Sequence, residues 1–322
     1  MMKLLRAAAC LATILVAGES SAQTYPSRSV RIVVPYPAGG PTDVMARLVA
    51  QKLSEALGQQ FFVENHGGAA GTIGTVAVAN APADGYTLLF VAPDFVVQPA
   101  VRAKAPFDPI RNFAPVTLLA VAPEMIAVTP SLPAKNLPEL IAFLRANPGK
   151  HSYASPGAGS SAHLEGEWLY KITYGLDVVH VPFQGAAPAI TSTIAGHTSI
   201  VHLALPALTT PVKDGKLRAI TVTGNKRAPQ HPDVQTLAEA GLTELRTDFI
   251  VGVVAPAATP KDIVDLLSRQ IAGTLKLPDI QDRLGKLSFA PVGSTPDEFA
   301  ARIKADVETW TKIVRQANIK IE

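Results

Sequence analysis

The sequence predicts an α/β protein built around a parallel sheet. A short β-branched run, Val30–Val34, is stopped by Pro35 and is typical of a buried parallel strand. Apolar residues at helical spacing follow over 42–57, with Gly58 as the expected C-cap. The same order of strand, loop and helix recurs along the chain, which predicts right-handed crossovers between parallel strands.

The remaining elements follow from the same patterns. Short apolar or β-branched runs predict strands at 61–63, 86–91, 152–154, 178–181, 199–205, 217–223 and 249–254. Helical spacing predicts helices that end at Ala79 and at Ala195, the second closed by Gly196. A third helix is expected to bury Leu164, Trp168 and Ile172 on one face.

The sequence also predicts where several helices begin. Asn136 with Glu139 three residues later predicts one start, and a further helix is expected to begin at Thr259 and Pro260. The segment 295–298 reads Thr-Pro-Asp-Glu, a capping box with proline at the first helical position, and predicts the last helix. It carries Trp310 at an apolar position, which we expect to lie in the core.

The composition narrows the class of protein. The 322 residues are 48% hydrophobic and 17% charged, which is typical of a folded chain of roughly two domains. Lys and Arg number 29 against 26 Asp and Glu, and this near balance does not suggest a nucleic-acid partner. A single cysteine excludes a disulfide framework, a Cys-rich zinc site and an iron–sulfur cluster.

The first 22 residues predict an export signal. Lys3 and Arg6 precede an apolar stretch over 7–17, and the small residues Ser20 and Ala22 fit cleavage after Ala22. The apolar stretch is too short for a permanent membrane helix, which is the alternative interpretation. Cleavage would remove the only cysteine, so we expect a soluble, exported chain suited to an oxidising compartment.

Small-residue loops lead into three predicted helices, at 37–43, 66–72 and 157–161. In the first loop, Gly39 and Gly40 expose backbone N–H groups beside a helix N-terminus, an arrangement that binds carboxylates or phosphates. The alternative is a tight turn with Thr42 as N-cap. No loop matches a dinucleotide or ATP fingerprint, so the three together predict a cleft that binds oxygens through neutral donors, with no cofactor.

Catalytic residues are only weakly indicated. Ser160 and Ser161 lack the Gly-x-Ser-x-Gly elbow, and His163 is too near in sequence to face the Ser161 hydroxyl easily. Asp84 and Asp94 flank a predicted strand, but an Asp-Gly turn explains the first. The histidines show no metal-ligand spacing. We therefore predict neither a catalytic nor a metal site.

Ten short segments, taken in order, form a more specific pattern. The longest read IVVPYPAGGPTD from residue 32 and VPFQGAAPA from residue 181. The others lie at 25–28, 63–65, 71–74, 84–89, 163–164, 215–219, 236–241 and 255–256. Across essentially the whole mature chain, they resemble the Bug family, the periplasmic solute-binding receptors of tripartite tricarboxylate transporters.

This resemblance implies a two-domain clamshell of the periplasmic-binding-protein (Venus flytrap) type, in which each lobe has a mixed, mostly parallel sheet flanked by helices. We expect one lobe to comprise residues 23–123 and 226–322, and the other residues 124–225. The family binds small carboxylates between the lobes. The implied ligand-binding residues come from the small-residue loops and the opposing wall: Tyr36, Ala38, Gly39, Gly40, Thr42, Asp43, Ala70, Gly71, Ser155, Gly157, Gly159, Ser160, Ser161, His163, Phe183, Gly185, Ala186 and Ala187.

The leading hypothesis is therefore a monomeric periplasmic receptor that delivers a small carboxylate, aromatic or dicarboxylic, to membrane permease subunits. The first alternative is a subunit that presents its ligand to a membrane sensor kinase. An exported serine hydrolase that uses Ser160 or Ser161 with His163 is the third and belongs to a different class.

Three departures from the family pattern concern the ligand. The loop 65–71 reads Asn-His-Gly-Gly-Ala-Ala-Gly where the family usually has Asn-Arg-Pro-Gly-Ala-Gly-Gly. The chain is apolar over 202–205, where the family often has Asp and Asn, and a common tryptophan is replaced near Ile250. These departures predict a less polar carboxylate, such as an aromatic one.

Overall fold

The computed structural model describes residues 25–102, 104–243, 247–317 and 319. The export signal and its cleavage after Ala22 lie outside the described residues. Among the residues described, no helix is both long and apolar enough to cross a bilayer.

The strands are short except for two. In chain order they are β1 (Val30–Val34), β2 (Phe61–Asn65), β3 (Thr87–Val91), β4 (Phe113–Val128), β5 (Ser152–Ser155), β6 (Val179–Pro182), β7 (Ile200–Ala204), β8 (Arg218–Val222), β9 (Asp248–Pro256) and β10 (Ala290–Pro291). They join in one sheet with the main order β2-β1-β3-β9-β4-β7-β5-β6, and β8 and β10 pair with β4.

Helices cover the sheet. They are α1 (Pro41–Leu57), α2 (Thr72–Ala79), α3 (Asp94–Val101), α4 (Leu137–Ala146), α5 (Ser161–Gly166), α6 (Ala186–Ile194), α7 (Leu205–Lys213), α8 (Lys261–Thr274), α9 (Pro278–Lys286) and α10 (Pro296–Ala317). A 3₁₀ turn, Ala69–Gly71, precedes α2, and a π-helical turn, Glu167–Thr173, continues α5.

The long strand β4 divides the sheet into two halves. Residues 113–123 pair with β9, whereas residues 124–128 lie between β7 and β8. We call the part with β1, β2, β3, β9 and residues 113–123 the first half, and the part with β5 to β8 and residues 124–128 the second half. The proposed lobe limits near residues 124 and 226 stay a prediction.

The sheet is parallel towards its two ends and antiparallel at its centre. β1 pairs in parallel with β2 and β3, and β5 pairs in parallel with β6 and β7, as expected. In contrast, β4 is antiparallel to β7, β8 and β9, and β9 is antiparallel to β3. The mixed, mostly parallel halves implied by the family resemblance fit this arrangement. Strand β4 escaped prediction because Pro115 and Pro123 interrupt its apolar run, and prolines argue against a central strand.

Most helix caps follow the sequence signals. Gly58 ends α1 in the left-handed conformation, with φ of 69°. The Asn136 side chain accepts a hydrogen bond from the Glu139 N–H, and Thr295 and Glu298 form the reciprocal capping box. Thr42 is not an N-cap: Gly40 holds that position and Pro41 starts the helix, because proline suits the first helical position.

The helix after β5 departs from regular geometry. Leu164 and Trp168 are buried as predicted, but Ile172 is 43% exposed. The π-helical turn at Glu167–Thr173 changes the angular spacing of side chains, and this shift moves Ile172 off the buried face.

Gly252 marks the closest approach between β9 and α10. A Cβ atom on Gly252 would lie 2.3 Å from Cζ of Phe299, whose side chain is fully buried. The absent side chain is therefore a packing requirement, since an interior at crystal-like density has no room for the displaced ring.

We expect Gly252→Ala to lower the free energy of unfolding by about 1–3 kcal/mol, the usual cost of overpacking. Gly285→Ala in α9 is the matched control, because nothing lies within 4 Å of the added methyl group. In a helix interior, that control should raise stability by about 0.5–1 kcal/mol. Urea unfolding of both variants checks the pair, and equal effects would contradict the packing argument.

Candidate functional site

A cavity of about 320 Å³ lies between the two halves of the sheet. From the first half it is lined by the β1–α1 loop, the turn before α2, the start of α3 and Phe249. From the second half it is lined by the start of α5, the start of α6 and the end of β7. Glu124, where β4 passes from one half to the other, forms part of the wall.

The first wall is the N-terminus of α1. Gly40 is the N-cap, no side chain caps the helix, and Pro41 has no N–H to donate. The N–H groups of Thr42 and Asp43 consequently lack an intrahelical acceptor. The helix dipole adds a partial positive charge at the same place, so this end favours an anion.

Asp43 supports this wall from behind. Its carboxylate accepts hydrogen bonds from the Gly39 N–H at 2.8 Å, Arg47 Nε at 3.0 Å and Asn65 Nδ2 at 2.8 Å. Burial works to raise the pKa of Asp43, but these hydrogen bonds outweigh it and hold the pKa below its ordinary value. Asp43 does not line the cavity. It fixes the loop instead of offering donors.

The second wall is the N-terminus of α6. Gly185 is its N-cap with φ of 107°, and no side chain caps the helix. Pro188 occupies the third helical position, so the N–H groups of Ala186 and Ala187 are the backbone donors without an intrahelical acceptor. Ala186 and Ala187 both line the cavity.

The two walls touch at the rim. A Cβ atom on Gly185 would lie 3.1 Å from Cγ of Pro37, and its φ is one that other residues rarely adopt. Two further hydrogen bonds connect α3 with the loop before α5. Gln98 Nε2 donates to the Gly159 carbonyl at 2.7 Å, and the Ser161 N–H donates to Asp94 Oδ1 at 3.1 Å. The structure thus shows the halves in contact around the cavity.

The loop before α5 forms its hydrogen bonds within the protein. We predicted that residues 155–161 would offer donors to a ligand, but these donors already have partners inside the protein. The Gly157 N–H donates to Ser155 Oγ, the Gly159 N–H to His163 Nδ1, and Ser160 Oγ to the Gly157 carbonyl. The loop is satisfied internally because its serines and histidine fold back onto its own backbone.

The cavity brings together part of the predicted site. Eleven of the predicted residues line it: Tyr36, Ala38, Gly39, Gly40, Thr42, Ala70, Gly71, Ser161, Gly185, Ala186 and Ala187. Seven do not: Asp43, Ser155, Gly157, Gly159, Ser160, His163 and Phe183. Of the residues outside the lining, Asp43, Ser155 and Ser160 are buried, whereas Gly157, His163 and Phe183 are partly exposed.

Two carboxylic acids in the lining were not predicted as site residues. Asp94 begins α3 directly after β3, and Glu124 lies in the strand that the sequence pattern missed. Asp94 could have been predicted as a site residue because it follows a parallel strand, and ligands bind beyond the carboxyl ends of such strands. Nothing in the sequence indicated Glu124.

These acids are held by Ser161. Its N–H donates to Asp94 Oδ1 and its hydroxyl donates to Glu124 Oε1, each at 3.1 Å. Burial raises the pKa of Asp94 to about 7, although the Ser161 N–H works in the opposite direction. Burial also raises the pKa of Glu124 to about 8, with a smaller contribution from the charge of Asp94.

A third buried acid, Glu165, interacts with Glu124. Burial, together with the charge of Glu124, raises the pKa of Glu165 well above its ordinary value. Thr247 Oγ1 donates a short hydrogen bond to its carboxyl group. Among the described residues that line the cavity itself, none is Lys, Arg or His. The acids therefore have no cationic partner on the cavity side.

Apolar side chains complete the wall near Glu124. Leu203 and Ala204 end β7, Phe249 lies in β9, and all three line the cavity. The segment 202–205 is one of the departures from the family pattern. The cavity lining thus combines neutral N–H donors at two helix ends, two carboxylic acids and an apolar surface.

Two histidines, His163 and His180, lie beside the site. His163 stacks on His180 with ring centroids 3.8 Å apart, and its Nδ1 accepts from the Gly159 backbone instead of a serine hydroxyl. His180 Nε2 lies 2.7 Å from Ser155 Oγ, but Ser155 is fully buried and outside the cavity lining. Burial lowers the pKa of His180 to about 3. The geometry gives no support to a serine hydrolase.

The turn before α2 is strained. Ala69 and Ala70 both have φ of 48°, in the left-handed region that L side chains avoid. Gly71 follows with φ of 85°, and a Cβ atom there would lie 3.3 Å from the Tyr36 ring. Ala70 stands where the family usually has glycine, and its side chain is part of the cavity lining.

We expect Ala70→Gly to stabilise the protein by about 1 kcal/mol, because glycine adopts a left-handed conformation without the cost that alanine has. Ala79→Gly, at the end of α2 with ordinary helical geometry, is the control and should lower stability. Urea unfolding measures both. A loss of stability in Ala70→Gly would contradict the strain argument.

The Glu124 carboxyl group predicts a pH dependence. Its pKa is about 8 in the folded state and 4.5 without the protein environment. The folded chain therefore retains a proton that the unfolded chain releases, and this stabilisation is lost as the pH rises through that interval. Glu124→Gln is neutral at every pH. The difference between its free energy of unfolding and that of wild type should therefore increase in favour of the variant as the pH rises from about 5 to about 8.

Urea unfolding at three pH values across that interval measures this change. Glu308→Gln, an exposed substitution on α10, controls for the lost charge and should parallel wild type. Parallel curves for Glu124→Gln and wild type would show that Glu124 is already ionised in the folded protein.

The sequence matches a known family along most of its length. The family model for the tripartite tricarboxylate transporter family receptor matches residues 45–319. Protein BugT of Bordetella pertussis is 33% identical over 314 residues, covering 97% of this chain and 96% of BugT.

Solved structures extend the likeness to the whole fold. R. palustris Rpa4515 with adipate superposes with a TM-score of 0.87 at 33% identity, covering 92% of this chain and 99% of that one. MatC (Rpa3494) from Rhodopseudomonas palustris with bound malate gives 0.84 at 30% identity, covering 90% and 100%. The family resemblance and the clamshell fold predicted from sequence are thereby confirmed. The chain belongs to the tripartite tricarboxylate transporter receptors of the Bug type, a family of solute-binding proteins.

Proposed function

We propose that this protein is a periplasmic receptor that captures a small carboxylate in the cavity between its halves and delivers it to the permease subunits of a tripartite transporter. Rpa4515 and MatC, which share its fold, are described with adipate and malate. The transporter role follows the family to which the chain belongs. We favour a permease over a sensor kinase as partner for that reason, and a monomer as the working form.

The observation that carries this proposal is the pair of uncapped helix N-termini. α1 and α6 belong to opposite halves and both begin at the same cavity. At the cavity, α6 offers the N–H groups of Ala186 and Ala187 and α1 offers that of Thr42, and each helix adds the positive end of its dipole. A carboxylate has two oxygens that accept such donors, so it can be bound without a basic side chain.

Closure couples binding to delivery. A ligand that receives hydrogen bonds from both helix ends binds the closed arrangement more strongly than an open one, and so shifts the population towards it. The contacts Gln98–Gly159 and Asp94–Ser161 connect the halves in this arrangement. A permease that recognises the closed form would thereby receive loaded receptors selectively.

The cavity volume limits the ligand. At about 320 Å³, it lies at the lower end of small-molecule sites, which favours a compact acid. Leu203, Ala204 and Phe249 supply an apolar surface for its body. This lining supports the less polar ligand predicted from the family departures.

Ala186→Pro tests the donor role of α6. Proline is well accepted at the first helical position, so the substitution removes one N–H group and leaves the helix intact. We expect carboxylate affinity to fall about tenfold or more, since a hydrogen bond to a charged group contributes about 1.5–3 kcal/mol. Isothermal titration calorimetry with the best ligand from a panel of aliphatic and aromatic acids measures the change.

Lys261→Pro is the matched control for this substitution. It removes the N–H at the first position of α8, whose first residue is exposed and outside the cavity lining. Its affinity should equal that of wild type. If Ala186→Pro binds the acid as tightly as Lys261→Pro, the α6 terminus does not hold the carboxylate.

A further inference from the structure

Glu124 has an oxygen for which the described residues offer no partner. Its side chain is 3% exposed, Oε1 accepts from Ser161, and Oε2 is buried without a hydrogen bond. A buried carboxyl oxygen that loses water and gains no partner is costly, so native structures rarely retain one without a function. Glu124 lines the cavity, so we consider a bound molecule that contacts its carboxyl group as the missing partner, reached when this buried oxygen turns towards the cavity.

A second carboxylic acid lines the same side. Ser161 donates to both Asp94 and Glu124, so the hydroxyl and N–H of one residue hold the two acids in position. Strand β4 fixes Glu124 further, because its backbone N–H donates to Thr223 Oγ1 at 2.9 Å. The acids are thus built into rigid elements before any ligand arrives.

No charged group that the structure describes near Asp94 and Glu124 neutralises these two acids. Glu165 lies beyond Glu124 and is held by Thr247, and its pKa is raised in part by the charge of Glu124 and of Asp248. The nearby cation Arg302 is directed elsewhere. Its guanidinium contacts Asp306 at 2.8 Å and Asp248 at 3.6 Å, and it does not line the cavity.

A second carboxylate on the ligand would fit this side poorly. Only a proton on Asp94 or Glu124 could hold it there, because no cation is among the described lining residues, and like charges in buried surroundings repel strongly once these acids are ionised. An ammonium group supplies both a positive charge and N–H donors. It therefore offers the free Glu124 oxygen a hydrogen bond and balances the negative charge that Glu124 and Asp94 carry when they are ionised.

We propose that the ligand carries an ammonium group at the end opposite its carboxylate, and that Glu124 and Asp94 bind this group while the α1 and α6 termini bind the carboxylate. This inference rests on the proposed function and narrows its substrate class to amino-bearing carboxylates with an apolar body. The Leu203, Ala204 and Phe249 surface would contact that body.

Two matched sets of probes test the inference on the purified wild-type chain. The aliphatic set is 6-aminohexanoate, adipate and hexanoate, and the aromatic set is 4-(aminomethyl)benzoate, terephthalate and 4-methylbenzoate. Within each set, the body is constant and only the far group changes. In titration calorimetry, we expect the amino acid of at least one set to bind about tenfold or more tightly than its two partners, which corresponds to about 1.4 kcal/mol.

Substitutions identify the residues responsible. Glu124→Gln keeps the shape and removes the charge, and should weaken the amino probe about tenfold while leaving the methyl-terminated probe unchanged. Asp94→Asn provides a second, independent variant with the same expected direction. Glu167→Gln, a nearby acid outside the cavity lining, is the control and should bind every probe like wild type.

Proton release provides a readout that needs no substitution. An ammonium that pairs with ionised Glu124 forces the carboxyl proton out, so binding near pH 7 should release protons, and the titration heat should depend on the buffer's ionisation enthalpy. An equal or stronger affinity for adipate and terephthalate, without proton release, would overturn the ammonium site and leave the proposed function standing. Failure of all six probes to bind would overturn both.

Discussion

The pairing of β4 with strands of both halves is the constraint on which the site depends. One continuous strand of 16 residues pairs with β9 up to Pro123 and with β7 from Glu124 onward. The cavity lies where this strand passes from one half to the other. A side chain at the crossing is held by backbone ladders from both halves, which explains how Glu124 can keep a fixed position at a site between them.

The site separates two kinds of electrostatic environment. Backbone N–H groups and helix dipoles make the α1 and α6 ends favourable for anions, and these groups carry no side-chain entropy to lose on binding. Asp94 and Glu124 also line the cavity and are buried, and the described residues of the lining include no cation. Burial favours their protonated forms in the empty cavity, so their charge depends on what the cavity contains.

Local hydrogen bonding decided which small-residue loop keeps backbone N–H groups without a partner. The loops at 37–43 and 157–161 looked alike in sequence, since both precede helices and both are rich in glycine. In the first, Gly39 is the only residue of the loop whose backbone N–H donates to Asp43, and the helix end stays uncapped. In the second, Ser160 caps α5 and Ser161 binds the acids. Serine and histidine side chains compete for backbone donors that glycine and alanine leave free.

The sequence by itself determined the local elements and the class of site. Strands such as β1, the Gly58 and Asn136 caps and the Thr295–Glu298 capping box follow from short-range sterics and hydrogen bonds, which neighbouring residues specify. The resemblance to the family further predicted the clamshell fold and a binding role for the loop at 37–43. Tertiary structure decided the antiparallel centre of the sheet, the internal partners of residues 155–161 and the place of Glu124. Each of these depends on contacts between residues far apart in the chain, such as Glu124 with Ser161 and Pro123 with Asp248, and no local pattern encodes which distant segment will be the partner.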